Sequence, residues 1–238
     1  MAIHMIKQGK GGVGKSLIAA MLAQWLLTKD EPLYCADTDP VNDTFSRYKA
    51  LNVETIQLLD DQDNINTRNF DALIEKLIAH EGNAVIDNGA STFVALNAYM
   101  KENGIVELLQ DAGKEIFVHT VVTGGQAFQD TLIGLNLLLK TQKAPVVVWE
   151  NEYFGKVEKN GKVFRDSEIY KNNQERIKGL VHIEKRTEHT FGHDIGVLCS
   201  NNLTFEEALT SELFGMIPRS RLHTVRKSIF SQLDKLPL

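Results

Sequence analysis

The sequence predicts an α/β protein: a mostly parallel, twisted sheet with helices on both faces. Three observations point there. Short apolar runs alternate with helical patterns along most of the chain, as a sheet covered on both sides requires. A segment carrying four glycines, Gly9 to Ser16, separates the first apolar run, "IHMI", from the helical run "LIAAMLAQWL". One stretch, "KVEKNGKVFR", breaks the alternation by placing Asn160-Gly161 between two strand-like pieces, the strongest short signal for a two-residue hairpin turn.

Taken in order, the apolar runs place strands near 2–8, 33–38, 52–58, 83–88, 115–122, 144–150 and 179–184. Helical patterns fill the intervals at 15–28, 41–49, 67–81, 91–111, 125–141 and 166–177, and a helical C-terminal third follows from about 185. The Asn-Gly pair reads as a surface hairpin inserted after a core strand. No repeat, low-complexity tract or linker interrupts the 238 residues, so a single domain over 1–238 is expected.

Composition narrows the function. With 43% hydrophobic and 24% charged residues the chain can bury a sizeable core. A formal net charge of −5 argues against binding nucleic acid by global charge. Cys35 and Cys199 share no motif spacing, no targeting segment is evident at the N-terminus, and the apolar runs stop well short of the ~20 residues a membrane helix needs. The cytoplasm is the expected compartment.

Gly9 to Ser16 fits G-x-x-x-x-G-K-[ST] and lies between a strand and a helix, the context this motif requires. Glycines at 9, 11, 12 and 14 let successive N–H groups turn inward, forming a concave anion site at the positive end of the next helix. Gly11, Gly12, Val13, Gly14 and Leu17 would line that cradle. Lys15 would reach the β and γ phosphates, and the Ser16 hydroxyl would ligate the bridging magnesium. "LYCADTDPVND" ends a strand with Asp37 and Asp39, two residues apart and so on one side of an extended chain, at the carboxyl end where such sheets place ligands. "NAVIDNGAST" ends another strand in Asp87. The lesser, alternative reading of each aspartate is a turn former at a strand end.

Lys10 is not needed for the motif. Its position directly after Gly9 makes the chain resemble the deviant Walker ATPases of the ParA and MinD type. The resemblance implies that Lys10 crosses a dimer interface to the partner's phosphates, that Asp37 holds magnesium through water, and that Asp39 orients the attacking water. It implies as well that Asp87 is the magnesium-associated carboxylate of the second switch, with Gly89 leaving room near the γ-phosphate. Two departures stand out: Asn88-Gly89 replaces a common proline after Asp87, and Leu17 replaces a second hydroxyl residue after the loop lysine. The nucleotide expected is ATP, because no N-K-x-D or T-K-x-D segment for guanine occurs in the later strands. Relatives use an asparagine against adenine near Asn151; a plain polar loop residue is the other reading.

A narrower resemblance runs through "QGKGGVGKSLIA", "DTDPVN", "INTRNFDALIE", "VIDNGAS", "TVVTGGQA" and "LTFEEAL". Together these resemble the TraL family of plasmid conjugal-transfer regions, which implies an accessory ATPase with a partner in the conjugation apparatus. "TVVTGG" reads either as a mobile loop near the nucleotide or as a simple strand-to-helix connection. His189 and His193 share an i, i+4 spacing without a third ligand nearby, and Ser91 lacks the turn that exposes a nucleophile. Residues 219–238 carry five basic side chains against one acid, with Leu222, Val225, Ile229, Leu233 and Leu236 at helical spacing. That amphipathic helix could pack on the core, contact DNA, or lie on a membrane surface, which would make the protein peripheral to the inner membrane.

The combined expectation is an ATP-driven dimerisation switch that is a slow, partner-stimulated ATPase. An ATP-gated scaffold with negligible hydrolysis and a small-molecule phosphotransferase are the alternatives.

Overall fold

The computed structural model describes residues 1–39, 42–59, 62, 65–159 and 161–238. The seven predicted strands all form: β1 (Ala2–Ile6), β2 (Leu33–Asp37), β3 (Glu54–Thr55), β4 (Asn83–Asp87), β5 (Glu115–Thr123) and β6 (Val146–Asn151) come first. A two-stranded hairpin of β7 (Glu158–Lys159) and β8 (Lys162–Val163) precedes the last core strand, β9 (Ile177–Ile183). The main sheet runs β3-β2-β4-β1-β5-β6-β9, and every neighbouring pair is parallel. All five residues of β1 and of β4 are buried, as central strands covered on both faces must be.

Successive strand residues point to opposite faces, so β1 feeds two apolar layers at once. Ile3 and Met5 pack with α2 (Asn69–Ala79), α3 (Phe93–Glu102), α4 (Ile105–Asp111) and α5 (Phe128–Thr141). Ile6 packs with α1 (Lys15–Leu26) and the C-terminal helices α7 (His193–Ser200), α8 (Phe205–Thr210) and α9 (Met216–Leu233).

The same core holds an unusual polar chain. Trp149 Nε1 donates to His119 Nδ1 at 3.0 Å, so His119 carries its proton on Nε2 and donates to His4 Nδ1, also at 3.0 Å. His4 is thereby left with its proton on Nε2, a buried atom with no hydrogen-bond partner among the described residues. Every donor in the chain points one way. Burial pulls the His4 imidazole down to about 3 and His119 well below its usual value.

Three helices depart from expectation. The stretch 41–49 is not an α-helix: its described part forms short 3₁₀ turns at Phe45–Arg47 and Lys49–Leu51, because Asp37 Oδ2 accepts the Phe45 and Ser46 N–H groups at 3.0 and 3.1 Å and fixes the turn there. The stretch 91–111 splits into α3 and α4 at Gly104, whose φ of 58° is left-handed. The stretch 166–177 shrinks to α6 (Glu168–Lys171), started by Ser167 Oγ accepting the Tyr170 N–H. The hairpin pairs as expected, Lys159 with Lys162 and Glu158 with Val163; Asn160 lies outside the described residues.

α9 spends its apolar stripe on the core. Leu222, Val225, Ile229 and Leu233 are buried, and Trp25 Nε1 and Lys29 Nζ both donate to Asp234, fastening the end of α9 to α1. Three of its basic residues are engaged within the chain: Arg219 donates to Ser211 O, Arg221 pairs with Asp194 at 2.5 Å, and Arg226 lies over the Phe230 ring.

Candidate functional site

The carboxyl ends of β1, β4, β2 and β6 bring the predicted residues to one edge of the sheet. β1 leads through buried Lys7 and Gln8 into the glycine loop, and α1 starts at Lys15. Gly14, the residue before that helix, has a φ of 99°, which a side chain would strain. No side chain caps α1, and its first turn holds no acid. Its leading N–H groups and positive helix end are therefore available to an anion. Lys15 is buried, and its Nζ donates to Lys10 O at 3.4 Å. Burial lowers its ammonium pKa, while the charges of Asp87 and Asp39 oppose that shift.

Asp87 ends β4 in register with Ile6 of β1 on one side and Asp37 of β2 on the other. Its carboxyl is pushed up to about 7, chiefly by burial and in part by Asp37, against the Ser16 hydroxyl bond and the Lys15 charge, which lower it. Asp87 Oδ1 is buried and finds no hydrogen-bond partner among the described residues. An orphaned carboxylate oxygen beside a serine hydroxyl is a donor set that suits a hard divalent cation such as magnesium.

Asp37 is occupied differently. Besides holding the Phe45 and Ser46 N–H groups it accepts the Asp39 N–H on Oδ1 at 2.9 Å, so it ties the following loop to the sheet. Burial raises its pKa, and those backbone bonds oppose the rise. Asp39 Oδ1 accepts the Asn42 N–H at 3.2 Å. A Cβ placed on Gly89 would lie 2.6 Å from Asp39 Cγ, so only glycine allows the segments after β2 and β4 to meet this closely.

Asn151 is buried at the end of β6. Its Nδ2 donates to Val13 O at 3.0 Å and its Oδ1 accepts the Tyr153 N–H at 3.1 Å. These contacts make it a brace between the glycine loop and the segment after β6. Lys10 forms an ion pair with Asp130 of α5 at 2.9 Å.

Two cavities open along this edge and meet at Gly12, Gly14, Leu17 and Cys199. One, of about 600 Å³, is lined by Lys15, Ser16, Asp39 and Tyr48 and suits phosphates. The other, of about 830 Å³, lies between the ends of β6 and β9, α7 and α9, and is lined by Asn151, Tyr153, Phe154, His182 and His193. Sequence reasoning missed Asp130, Tyr48 and the β9 side of this second cavity. His189 and His193 line it as well, and no cluster of three metal-ligating side chains occurs among the described residues. The "TVVTGG" segment proves to be a strand-to-helix connection, in which a short 3₁₀ turn, Gly125–Ala127, joins β5 to α5.

A glycine loop that presents uncapped helix N–H groups, a buried lysine and an orphaned carboxylate to a two-part cavity is a site for a nucleoside phosphate. Residues 4–223 match the CobQ/CobB/MinD/ParA nucleotide binding domain, and the chain belongs to that family. Two proteins of Escherichia coli named TraL are similar over nearly the whole chain: 47% and 45% identical over 234 residues, 98% of this chain and 97% of each relative. The fold is also that of two solved Aquifex aeolicus structures. The MinC:MinD cell division complex gives a TM-score of 0.55 at 12% identity over 95% of each chain, and MinD gives 0.51 at 13% over 97% of each.

Proposed function

We propose that the chain is an ATP-binding and ATP-hydrolysing switch: two copies close face to face when ATP binds and separate after hydrolysis, in the service of plasmid conjugal transfer. The observation that carries this reading is the buried Asp87 carboxylate, which is bonded to the Ser16 hydroxyl and lies near the Lys15 charge, while its Oδ1 has no hydrogen-bond partner among the described residues, a donor set that suits the metal of a metal–nucleotide complex. Similarity to the two TraL proteins supports the link to conjugal transfer.

The roles follow from position. Backbone N–H groups of the loop from Gly11 to Leu17, with Lys15, bind the phosphates. Ser16 and Asp87 would hold magnesium, with Asp37 behind them; the ion, when bound, neutralises charge on the β and γ oxygens. Asp39, held between Asn42 and Gly89, orients the attacking water. Lys10 reaches the partner's nucleotide, offsetting the repulsion between two sets of phosphates where water is largely excluded.

The test is sedimentation of the Lys10→Ala protein with ATP and magnesium. It should bind ATP as a monomer, because Lys15 and the loop N–H groups remain, and fail to dimerise or hydrolyse. A variant that dimerises as readily as the parent refutes the switch; dimerisation of the parent without phosphate release turns the reading to an ATP-gated scaffold. No helix among the described residues is long and apolar enough to cross a membrane. Because three arginines of α9 are held by partners within the chain, packing on the core accounts for this helix better than contact with DNA or a membrane surface.

A further inference from the structure

We propose that Asp130 is a positioning residue for Lys10: it holds the Lys10 ammonium within its own chain and sets how readily the ATP-bound protein closes into a dimer. The proposal rests on the switch reading above and deepens it. Lys10 Nζ lies 2.9 Å from Asp130 Oδ2, so the one loop lysine that the phosphate cradle does not need already has an anionic partner at home. Asp130 sits in the first turn of α5, where the helix dipole favours a carboxylate. Its neighbours on α5 are engaged as well: Gln129 Oε1 accepts Lys159 Nζ of the hairpin at 3.1 Å, and the Thr131 hydroxyl shares its proton between the Ala127 and Phe128 carbonyls.

One cation cannot serve two anions at a distance. Closure therefore exchanges the Asp130 carboxylate for the phosphates bound by the second copy, and the carboxylate competes with closure. Side-chain exposures of 44% and 52% put the pair among solvent-screened ones, each able to shift an equilibrium by about 1.5- to 5-fold. A two-fold dimer breaks two such pairs, so the effects multiply to about 2- to 25-fold. The carboxylate would then keep closure dependent on saturating nucleotide or on a partner protein.

Zero-length carbodiimide coupling of the nucleotide-free protein should join Lys10 to Asp130 through an amide visible in the peptide mass spectrum. The yield should fall when a non-hydrolysable ATP analogue and magnesium are added at concentrations that dimerise the protein. Sedimentation should show the Asp130→Asn dimer dissociating about 2- to 25-fold less than the parent, with ATP affinity of the monomer unchanged. Asp130→Glu, which keeps the charge, should restore parental behaviour, and Asp130→Asn should have no effect on a Lys10→Ala background. Absence of the coupled peptide, or an Asp130→Asn protein that dimerises no more readily than a dimerising parent, overturns this proposal alone. A parent that stays monomeric with the analogue overturns the switch and this proposal with it.

Discussion

Asp87→Asn should stabilise the nucleotide-free protein and abolish its use of magnesium. Folding moves this carboxyl from its ordinary 3.8 up to about 7, mainly because the charged form loses water on burial. Three units at ~1.36 kcal/mol each make the charged form cost about 4 kcal/mol in the folded state, a large share of the ~5–15 kcal/mol that holds a domain together. The sign follows from proton uptake. Between pH 3.8 and 7 the folded state holds the proton more tightly than the unfolded chain, so the parent loses stability as pH rises through that window and the loss is complete above 7. Asparagine has nearly the same shape and never ionises. The variant's advantage should therefore grow from about 2 kcal/mol at pH 5 to about 4 kcal/mol at pH 8 and then level off. Urea unfolding of parent and variant in chelator, at several pH values, measures the difference; contributions from titrating groups remote from Asp87 cancel in it, while Lys15, Asp37 and Asp39, which are coupled to Asp87, do not. A constant gap across pH, or a less stable variant at pH 8, would refute the assignment of Asp87 as a strained, ion-ready carboxylate.

Other outcomes follow from the same geometry. Lys15→Ala should weaken ATP binding about 100-fold by calorimetry, since it removes two charge-assisted contacts of ~1.5 kcal/mol each; unchanged affinity would unseat the phosphate loop. Asp39→Ala should bind ATP and magnesium normally, hydrolyse about 100-fold more slowly and accumulate as a dimer, and parental turnover would make Asp39 a turn residue only. For the His4 imidazole, depressed to about 3, the unfolded chain takes up the proton first as pH falls below 6.5; stability present above that point should be lost toward pH 3, by about 5 kcal/mol from this group. Ring resonances of His4 that titrate near 6.5 in the folded protein would contradict the one-way chain from Trp149.

The central strands β1, β4, β5 and β6 were legible because each is a short buried run whose composition alone demands cover on both faces, and the phosphate loop because its glycines, lysine and serine act on neighbours in sequence. What escaped depends on contacts between distant segments. Residues 41–49 look helical until Asp37, at the end of β2, draws the Phe45 and Ser46 N–H groups into a 3₁₀ turn. The fit of Asp39 against Gly89 joins residues 50 apart, and Lys10 meets Asp130 across 120 positions; neither pair leaves a local pattern. Asn151 shows the reverse difficulty. Its place at the end of β6 was readable, but the partners of its amide, Val13 and Tyr153, are known only once the chain has folded.

The connection between β5 and α5 has a mechanical meaning. A Cβ on Gly124 would stand 2.1 Å from Gly155 O, and one on Gly125 would stand 2.6 Å from Phe154 O, so the backbone after β6 rests directly on the backbone after β5 with no side chain between. At the other end of the same insertion, Lys159 grips Gln129. The segment that carries the hairpin is thus joined to the entry of α5 at two places, by close backbone packing and by a side-chain hydrogen bond one residue away from Asp130. If Asp130 restrains Lys10 as proposed, a molecule bound to the hairpin would meet the same end of α5 that carries this carboxylate.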